Sequence, residues 1–158
     1  MMSTKKRRRL VPGDVYAVPL KSGGYVFGLV CKGNDFAFFN SRSESPVFPD
    51  ALQDLPLAFR VYVAADAPST SGWVLTGTVE LTGEYAKAAK YFRKPVGSER
   101  YYLHSGLESM PADKEDCRGL EIMVIWFSMH IENRLEDSFA GREYRGIAAI
   151  KKQLNIDF

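Results

Sequence analysis

The chain has 158 residues, of which 46% are hydrophobic and 13% are aromatic. This length predicts one domain, because domains usually run to about 100–200 residues, and the apolar content excludes a largely disordered chain. The formal net charge is +2, and no apolar run in the sequence approaches the roughly 20 residues that a membrane-spanning helix needs.

The positive net charge comes from the amino terminus. Five of the 21 basic residues are consecutive, namely Lys5, Lys6, Arg7, Arg8 and Arg9, and the rest of the chain has fewer basic residues than its 19 acidic ones. We therefore predict a flexible basic tail at residues 1–10 and a single α+β domain at residues 11–158. Such a tail can contact RNA, a phosphate-rich surface or an acidic protein, but a solvated chain end is the preferred interpretation.

The start of the chain lacks the apolar segment of a secretory signal, because Pro12 and Gly13 follow Leu10 and Val11 directly. We predict a cytoplasmic protein with no membrane contact. The two cysteines, Cys31 and Cys117, are therefore expected to be reduced and packed as small hydrophobic residues.

The first half of the chain reads as β-structure. Residues 15–20 and 25–30 predict a hairpin, because Gly23 and Gly24 allow the positive φ angles of its turn. Gly28, in the middle of the second strand, indicates a bulge or a close backbone approach. Further strands are predicted at residues 35–40, 57–64 and 73–81, with loops at 41–50 and 66–72.

The second half is more mixed. Residues 85–92 have helical composition and indicate either a helix or only a short turn. Residues 100–104 predict a short strand, and residues 105–116 predict mostly loop. The apolar, β-branched run at 120–127 predicts a buried central strand. Ser128 is a candidate N-cap for an amphipathic helix that carries Ile131, Leu135 and Phe139 on one face and ends at Gly141.

A second helical face follows, made by Tyr144, Ile147, Ala148 and Leu154. The predicted fold is therefore α+β: a curved antiparallel sheet or an SH3-like partial barrel that begins with an N-terminal β-meander, with C-terminal helices packed on it.

No group of residues predicts catalysis, a cofactor or a metal site, so the protein is expected not to be an enzyme. His130, Glu132 and Arg134 suggest an acid/base group, but residues two apart on a helix point in different directions. The same objection applies to the adjacent carboxylates Glu115 and Asp116, and Glu136 and Asp137. Cys117 has no base beside it in the sequence, so a structural role is favoured over a reactive one.

Six aromatic residues crowd the first three strands: Tyr16, Tyr25, Phe27, Phe36, Phe38 and Phe39. Aromatic side chains beside positive charge can stack on single-stranded nucleic acid. Core packing is the preferred interpretation, because the body of the chain is mildly acidic and repels phosphate. Nucleic acid is therefore an unlikely partner.

Two stretches carry a family resemblance. The first is GDVYAVPL at residues 13–20 with GYVFGLV at residues 24–30, and the second combines residues 119–121, 124–126 and 130–135. Together they resemble the immunity protein 26 family of bacterial polymorphic toxin systems. This resemblance implies a protein that binds a cognate toxin domain and blocks it by occlusion, without catalysis. It carries over no partner-binding residues, and the oligomeric state stays open.

The opening GDVY also resembles the MazF/PemK-like ribonuclease toxins, which bind RNA on an SH3-like barrel. The chain departs from that pattern after the hairpin, where Tyr25, Val26, Phe27 and Gly28 replace the expected strand, and in its long helical C-terminal part. An SH3-like nucleic-acid-binding protein or a ribonuclease is therefore the alternative function.

Overall fold

The computed structural model describes residues 9–158, so the predicted tail lies outside the described residues except for Arg9 and Leu10. The described chain forms two β-sheets and four α-helices. The strands are β1 Asp14–Pro19, β2 Tyr25–Val30, β3 Phe36–Ser43, β4 Leu57–Val63, β5 Val74–Thr78, β6 Lys90–Arg93, β7 Tyr101–Ser105, β8 Glu108–Ala112, β9 Glu121–Ile122 and β10 Ile125–Trp126. The helices are α1 Ala67–Thr70, α2 Lys114–Cys117, α3 Ser128–Phe139 and α4 Arg145–Gln153, and short 3₁₀ helices occur at Leu52–Asp54 and Gly83–Ala86.

The first sheet has the strand order β10-β4-β3-β2-β1-β5. Strands β1 to β4 form the predicted antiparallel meander, and β5 returns to pair with β1. The β1–β2 turn uses Gly23 and Gly24 at φ values of 106° and 76°. The two edge strands, β10 and β5, do not pair with each other, so the described residues contain no closed barrel.

The first three strands of the meander are buried on both faces over most of their length, whereas β4 buries only alternate residues. Alternate residues of a strand point to opposite sides of a sheet, and here both sets are apolar. One face carries Tyr16, Val18, Val26, Phe36, Phe38, Phe59 and Val61 against Trp126, Ile131 and Leu135. The other face carries Val15, Ala17, Phe27, Leu29, Ala37 and Phe39 against Leu52. This double burial explains why the strands read as continuous apolar runs.

The second sheet has the order β8-β7-β6-β9. Its core is formed by Phe92, Cys117, Ile122 and Ile156, with half-buried side chains from the last residues of the chain, Leu154 and Phe158. The sequence predicts neither β6 nor β8: it indicates a helix or only a short turn at residues 85–92, and mostly loop at residues 105–116. A single 3₁₀ turn is present at Gly83–Ala86, and no helix follows it, because residues 90–93 pair with β7 as strand β6. The prediction at residues 105–116 missed β8, which pairs with β7 although it exposes most of its side chains.

The prediction of a single buried strand at residues 120–127 was wrong. The segment makes two short parallel pairings, β9 with β6 in the second sheet and β10 with β4 in the first. Both lie at sheet edges, and Ile125 is 68% exposed. Apolar, β-branched composition signals strand pairing but not the identity of the partner, so it could not reveal that the segment joins two sheets.

The C-terminal helices pack largely as predicted, but Ala148 of the predicted second face is exposed and Leu154 packs in the second core. Ile131 and Leu135 of α3 are buried, and Tyr144, Ile147 and Ile150 pack against the same core. Ser128 is the first residue of α3 and not its N-cap; the Phe127 N–H donates to His130 Nδ1 at 3.3 Å instead. The predicted α+β class, with an N-terminal meander and C-terminal helices, is confirmed, and its sheets are mixed because β9 and β10 pair in parallel.

A buried polar network connects the two sheets. The Arg60 guanidinium donates to both carboxylate oxygens of Asp35, at 2.8 and 3.1 Å, and to the carbonyls of Lys32, Glu84 and Lys87. The Tyr91 hydroxyl donates to Asp35 Oδ2 at 2.5 Å. Burial and the neighbouring carboxylate raise the pKa of Tyr91 above its ordinary value, so the hydroxyl stays protonated.

Candidate partner-binding surface

Two stretches of chain cover the second face of the first sheet. They are residues 44–55 and 79–85, which insert Phe48, Leu52, Leu55, Val79, Leu81 and Tyr85 into the core beneath. The Gln53 side chain joins the stretches, because its Nε2 donates to the Glu80 carbonyl at 2.8 Å and its Oε1 accepts from the Thr82 N–H at 2.8 Å. The Thr76 hydroxyl on β5 donates to the Pro46 carbonyl at 2.6 Å, and this bond holds the start of the first stretch against the sheet.

The outer side of this layer is acidic. Its exposed carboxylates, which we call the acidic cover, are Glu44, Asp50, Asp54, Glu80 and Glu84. Between Arg42 and Lys87 the only basic residue is Arg60, and that residue is paired with buried Asp35. Within residues 9–158, Glu84 is the one member of the acidic cover with an ion-pair partner, Lys87 at 3.9 Å.

Apolar side chains lie among these carboxylates. Val47 is 72% exposed, and Pro49 and Ala51 of the same loop are also exposed. Two hydrogen bonds between residues close in sequence hold the loop. The Ser45 N–H donates to Ser43 Oγ and the Val47 N–H donates to Ser45 Oγ, both at 3.3 Å. A charged rim around exposed apolar groups on an ordered backbone is typical of protein–protein interfaces.

A second exposed region lies at the start of α3. Its apolar side chains, which we call the apolar ridge, are Ile125 (68% exposed), Phe127 (59%) and Met129 (62%). Ser128, between the last two, hydrogen-bonds through its hydroxyl to that of Ser71. The ridge is therefore held against the loop between β4 and β5, but its side chains stay free of the core.

The helix residues that suggested an acid/base group do not converge. His130 caps the helix start, Glu132 accepts from Trp73 Nε1 at 3.2 Å, and Arg134 pairs with Glu121 of β9. The Arg134 guanidinium also lies 4.0 Å from the centre of the Phe59 ring. The three side chains contact the helix start, the residue before β5 and strand β9 respectively, so the group has a structural role.

The adjacent carboxylates have separate structural partners. Asp116 accepts from the Asp113 N–H in the capping box of α2, while Glu115 pairs with Arg118 at 2.8 Å. On α3, Asp137 pairs with Arg142.

Glu136 accepts from the backbone N–H of Ser22, at 3.0 Å, and from its hydroxyl, at 2.6 Å, which fastens the first hairpin turn to α3. Burial acts to raise the pKa of Glu136, but the hydrogen bonds from Ser22 and the nearby charges of Arg42 and Lys21 lower it below its ordinary value. The carboxylate therefore stays ionised in this contact at neutral pH.

Both cysteines are buried and unpaired with each other. Burial raises the pKa of the Cys31 thiol to about 12, and burial followed by the Asp116 charge raises that of Cys117. A thiol with a raised pKa is a poor nucleophile at neutral pH. Among residues 9–158, no group of three or more His, Cys, Asp or Glu side chains has the placement that a metal ion requires.

The aromatic side chains of the first three strands belong to the core. Tyr16 and Phe27 are at most 3% exposed, and Phe36, Phe38 and Phe39 are fully buried. Only Tyr25 is half-buried. The rings of Phe36 and Phe38 stack at 5.6 Å on each other and are unavailable to bases. The core interpretation of these residues is confirmed.

The sequence analysis does not identify the acidic cover, because it divides the charge only between the basic tail and the rest of the chain. The sequence does contain the signal, as a segment that is poor in basic residues: the 42 residues numbered 43–84 contain six acidic residues and one basic residue. Counting charge by segment would have identified it, whereas the ridge at 125–129 reads in sequence as buried core.

The described fold also contains no helix with the length and apolar character needed to cross a membrane. Comparison with curated proteins and with solved structures produced no match. The sequence model of immunity protein 26 matches residues 11–103, which contain the whole meander, the acidic cover, β6 and most of β7. This match spans more than half of the 158 residues and agrees with the motifs at residues 13–20 and 24–30. The chain therefore belongs to the immunity protein 26 family, and membership implies an immunity protein directed against a toxin.

Proposed function

We propose that this protein binds the toxic domain of one cognate bacterial toxin in the cytoplasm and neutralises it by occlusion, without catalysing a reaction. The observation that carries the proposal is the family match over residues 11–103. The described surface supports it, because its ionisable clusters serve structural contacts while exposed apolar and acidic groups remain available for a partner.

Occlusion suits a rigid surface. The sheet beneath the acidic cover is packed on both faces, so little conformational freedom would be lost on binding. Binding by a preorganised surface avoids the ordering cost of about 0.5–1.5 kcal/mol for each immobilised flexible side chain. A tight complex can therefore form without rearrangement of the domain.

Titration of toxin activity distinguishes occlusion from enzymatic inactivation. The probe is the purified toxic domain encoded by the gene next to that of this protein, assayed on its own substrate. We expect activity to fall in proportion to added protein and to vanish at a fixed stoichiometric ratio, and we expect co-expression to rescue cells. A toxic domain from an unrelated system is the control and should stay active.

Three outcomes would contradict the proposal. One is loss of toxin activity at a small fraction of the stoichiometric amount, which would indicate a catalyst. Another is the absence of any effect on the neighbouring toxin. The third is growth arrest with RNA cleavage by this protein alone, which would establish the ribonuclease alternative.

A further inference from the structure

The acidic cover differs from the rest of the surface in how its charges are compensated. Elsewhere acidic side chains commonly have a nearby cation, as in the pairs of Glu115 with Arg118 and Asp157 with Lys114. In the acidic cover, four of the five carboxylates have no ion-pair partner among the described residues. Like charges held on one surface repel one another, and this repulsion lowers stability.

The layer that holds these carboxylates is well ordered by its own contacts. The Gln53 hydrogen bonds place the Leu52–Asp54 turn beside residues 80–82, so that Asp54 and Glu80 belong to one continuous surface. Phe48 anchors the intervening loop beneath it and lies so close to Gly77 that an added Cβ there would be 2.8 Å from its ring. The backbone that carries the negative charges is therefore ordered.

A second and independent feature of this surface indicates a protein partner. Val47 exposes 72% of its surface between Glu44 and Asp50, with Pro49 and Ala51 exposed beside it. These three residues are close together in one loop, so they offer a partner an apolar contact area beside the carboxylates. The whole surface also lies inside the family-matched residues 11–103, and the apolar ridge lies outside them.

We propose that the acidic cover is the surface that binds the toxin, and that the toxin presents a cationic surface of the kind that enzymes use to bind nucleic acid. This inference rests on the proposed function and adds the site and the chemical class of the partner. Carboxylates on this ordered layer can occupy the positions that substrate phosphates would take on such an enzyme. Long-range attraction between the two surfaces also accelerates their encounter.

The test removes charge at the acidic cover without changing side-chain shape. The variant carries Asp50→Asn, Asp54→Asn and Glu80→Gln together. Its matched control carries Glu108→Gln, Glu115→Gln and Glu143→Gln, which removes the same charge from exposed positions elsewhere; within residues 9–158, only Glu115 of these three has an ion-pair partner, the exposed Arg118. The probe is a catalytically inactive form of the toxic domain encoded by the neighbouring gene, and the measurements are association rate, Kd and thermal stability.

We expect the acidic-cover variant to associate about tenfold more slowly at low salt, within the range of electrostatic steering. The difference should shrink at high salt, and heparin, a polyanion, should compete with the wild-type protein for the toxic domain. The variant should be as stable as the wild type or more stable, because repulsion has been removed. The control variant should bind like the wild type.

Equal binding by the acidic-cover variant and the wild type would overturn the inference, as would an equal loss in the control variant. Loss of binding in an apolar-ridge variant, Ile125→Ser with Phe127→Ser, together with normal binding by the acidic-cover variant, would also overturn it. Each of these results leaves the proposed function intact. Failure of the wild-type protein to bind the toxic domain contradicts the proposed function itself.

Discussion

Three parts of the chain meet at the Asp35 carboxylate: the turn before β3, strand β4 and strand β6. It is 1% exposed and accepts hydrogen bonds from Arg60 of β4 and Tyr91 of β6. Arg60 uses its other N–H groups on carbonyls of residues 32, 84 and 87, which also border the acidic cover. A buried charge is tolerated when it is paired and hydrogen-bonded on all sides, so each partner matters.

Replacement of Tyr91 by Phe should destabilise the protein by about 1–3 kcal/mol, because it leaves a buried carboxylate oxygen with one donor fewer. The measurement is the free energy of unfolding in urea. The control is Tyr62→Phe, since the Tyr62 ring packs 4.8 Å from that of Tyr91 but its hydroxyl makes no hydrogen bond within the described residues. An equal loss in both variants would show that the hydrogen bond from Tyr91 to Asp35 is not what stabilises the protein.

At the scale of elements, β2 depends on the absence of a side chain at Gly28. The β2–β3 register shifts between Val26 and Gly28, as the predicted bulge requires, and the Phe38 ring lies across the glycine. An added Cβ would be 2.8 Å from Phe38 Cε1 and 3.3 Å from Phe36 Cδ2. The stacked rings therefore occupy the volume that any other residue would need.

We expect Gly28→Ala to lower the free energy of unfolding by about 1–3 kcal/mol, which is the usual cost of an overpacked core. Chemical denaturation measures it. Combining Gly28→Ala with Phe38→Leu should cost less than the sum of the two single variants, because the smaller side chain relieves the contact. Strict additivity would argue that the backbone at residue 28, and not ring contact, sets the requirement.

At the scale of the whole molecule, the C-terminal part completes both sheets. β9 and β10 extend one sheet each, and Trp126, Ile131 and Leu135 fill the first core. Ile156, near the end of the chain, packs in the second core. The family-matched residues 11–103 thus lack side chains that their own cores require. This supports the proposal that residues 11–158 form a single domain.

Truncation to residues 11–103 should abolish cooperative folding, because it exposes the apolar face that α3 covers. Thermal unfolding followed by near-ultraviolet circular dichroism would show no sharp transition for this fragment, and one transition for the full chain. Deletion of residues 1–8 is the control and should leave the transition unchanged. A sharp transition in the fragment would mean that the matched region is a separate folding unit.

The sequence by itself determined the α+β class, the opening meander and the amphipathic helix α3. These follow from local chemistry: Gly23 and Gly24 in a turn, period-two apolar strands and the spacing of Ile131 and Leu135. The family could also be identified from residues 13–30, because a turn and its strands form one contiguous motif.

Only the tertiary structure decided what depends on residues distant in the chain. Asp35 contacts Arg60 and Tyr91, which lie 25 and 56 residues further along the chain, and no local sequence pattern predicts these contacts. The run at 120–127 became two edge pairings because its partners, β4 and β6, lie in different sheets. The acidic cover likewise became one surface only when Gln53 brought residues 44–54 beside residues 80–84. The sequence sets the order of charges along the chain. Electrostatic interactions act through space, so the fold alone determines which charges share a surface.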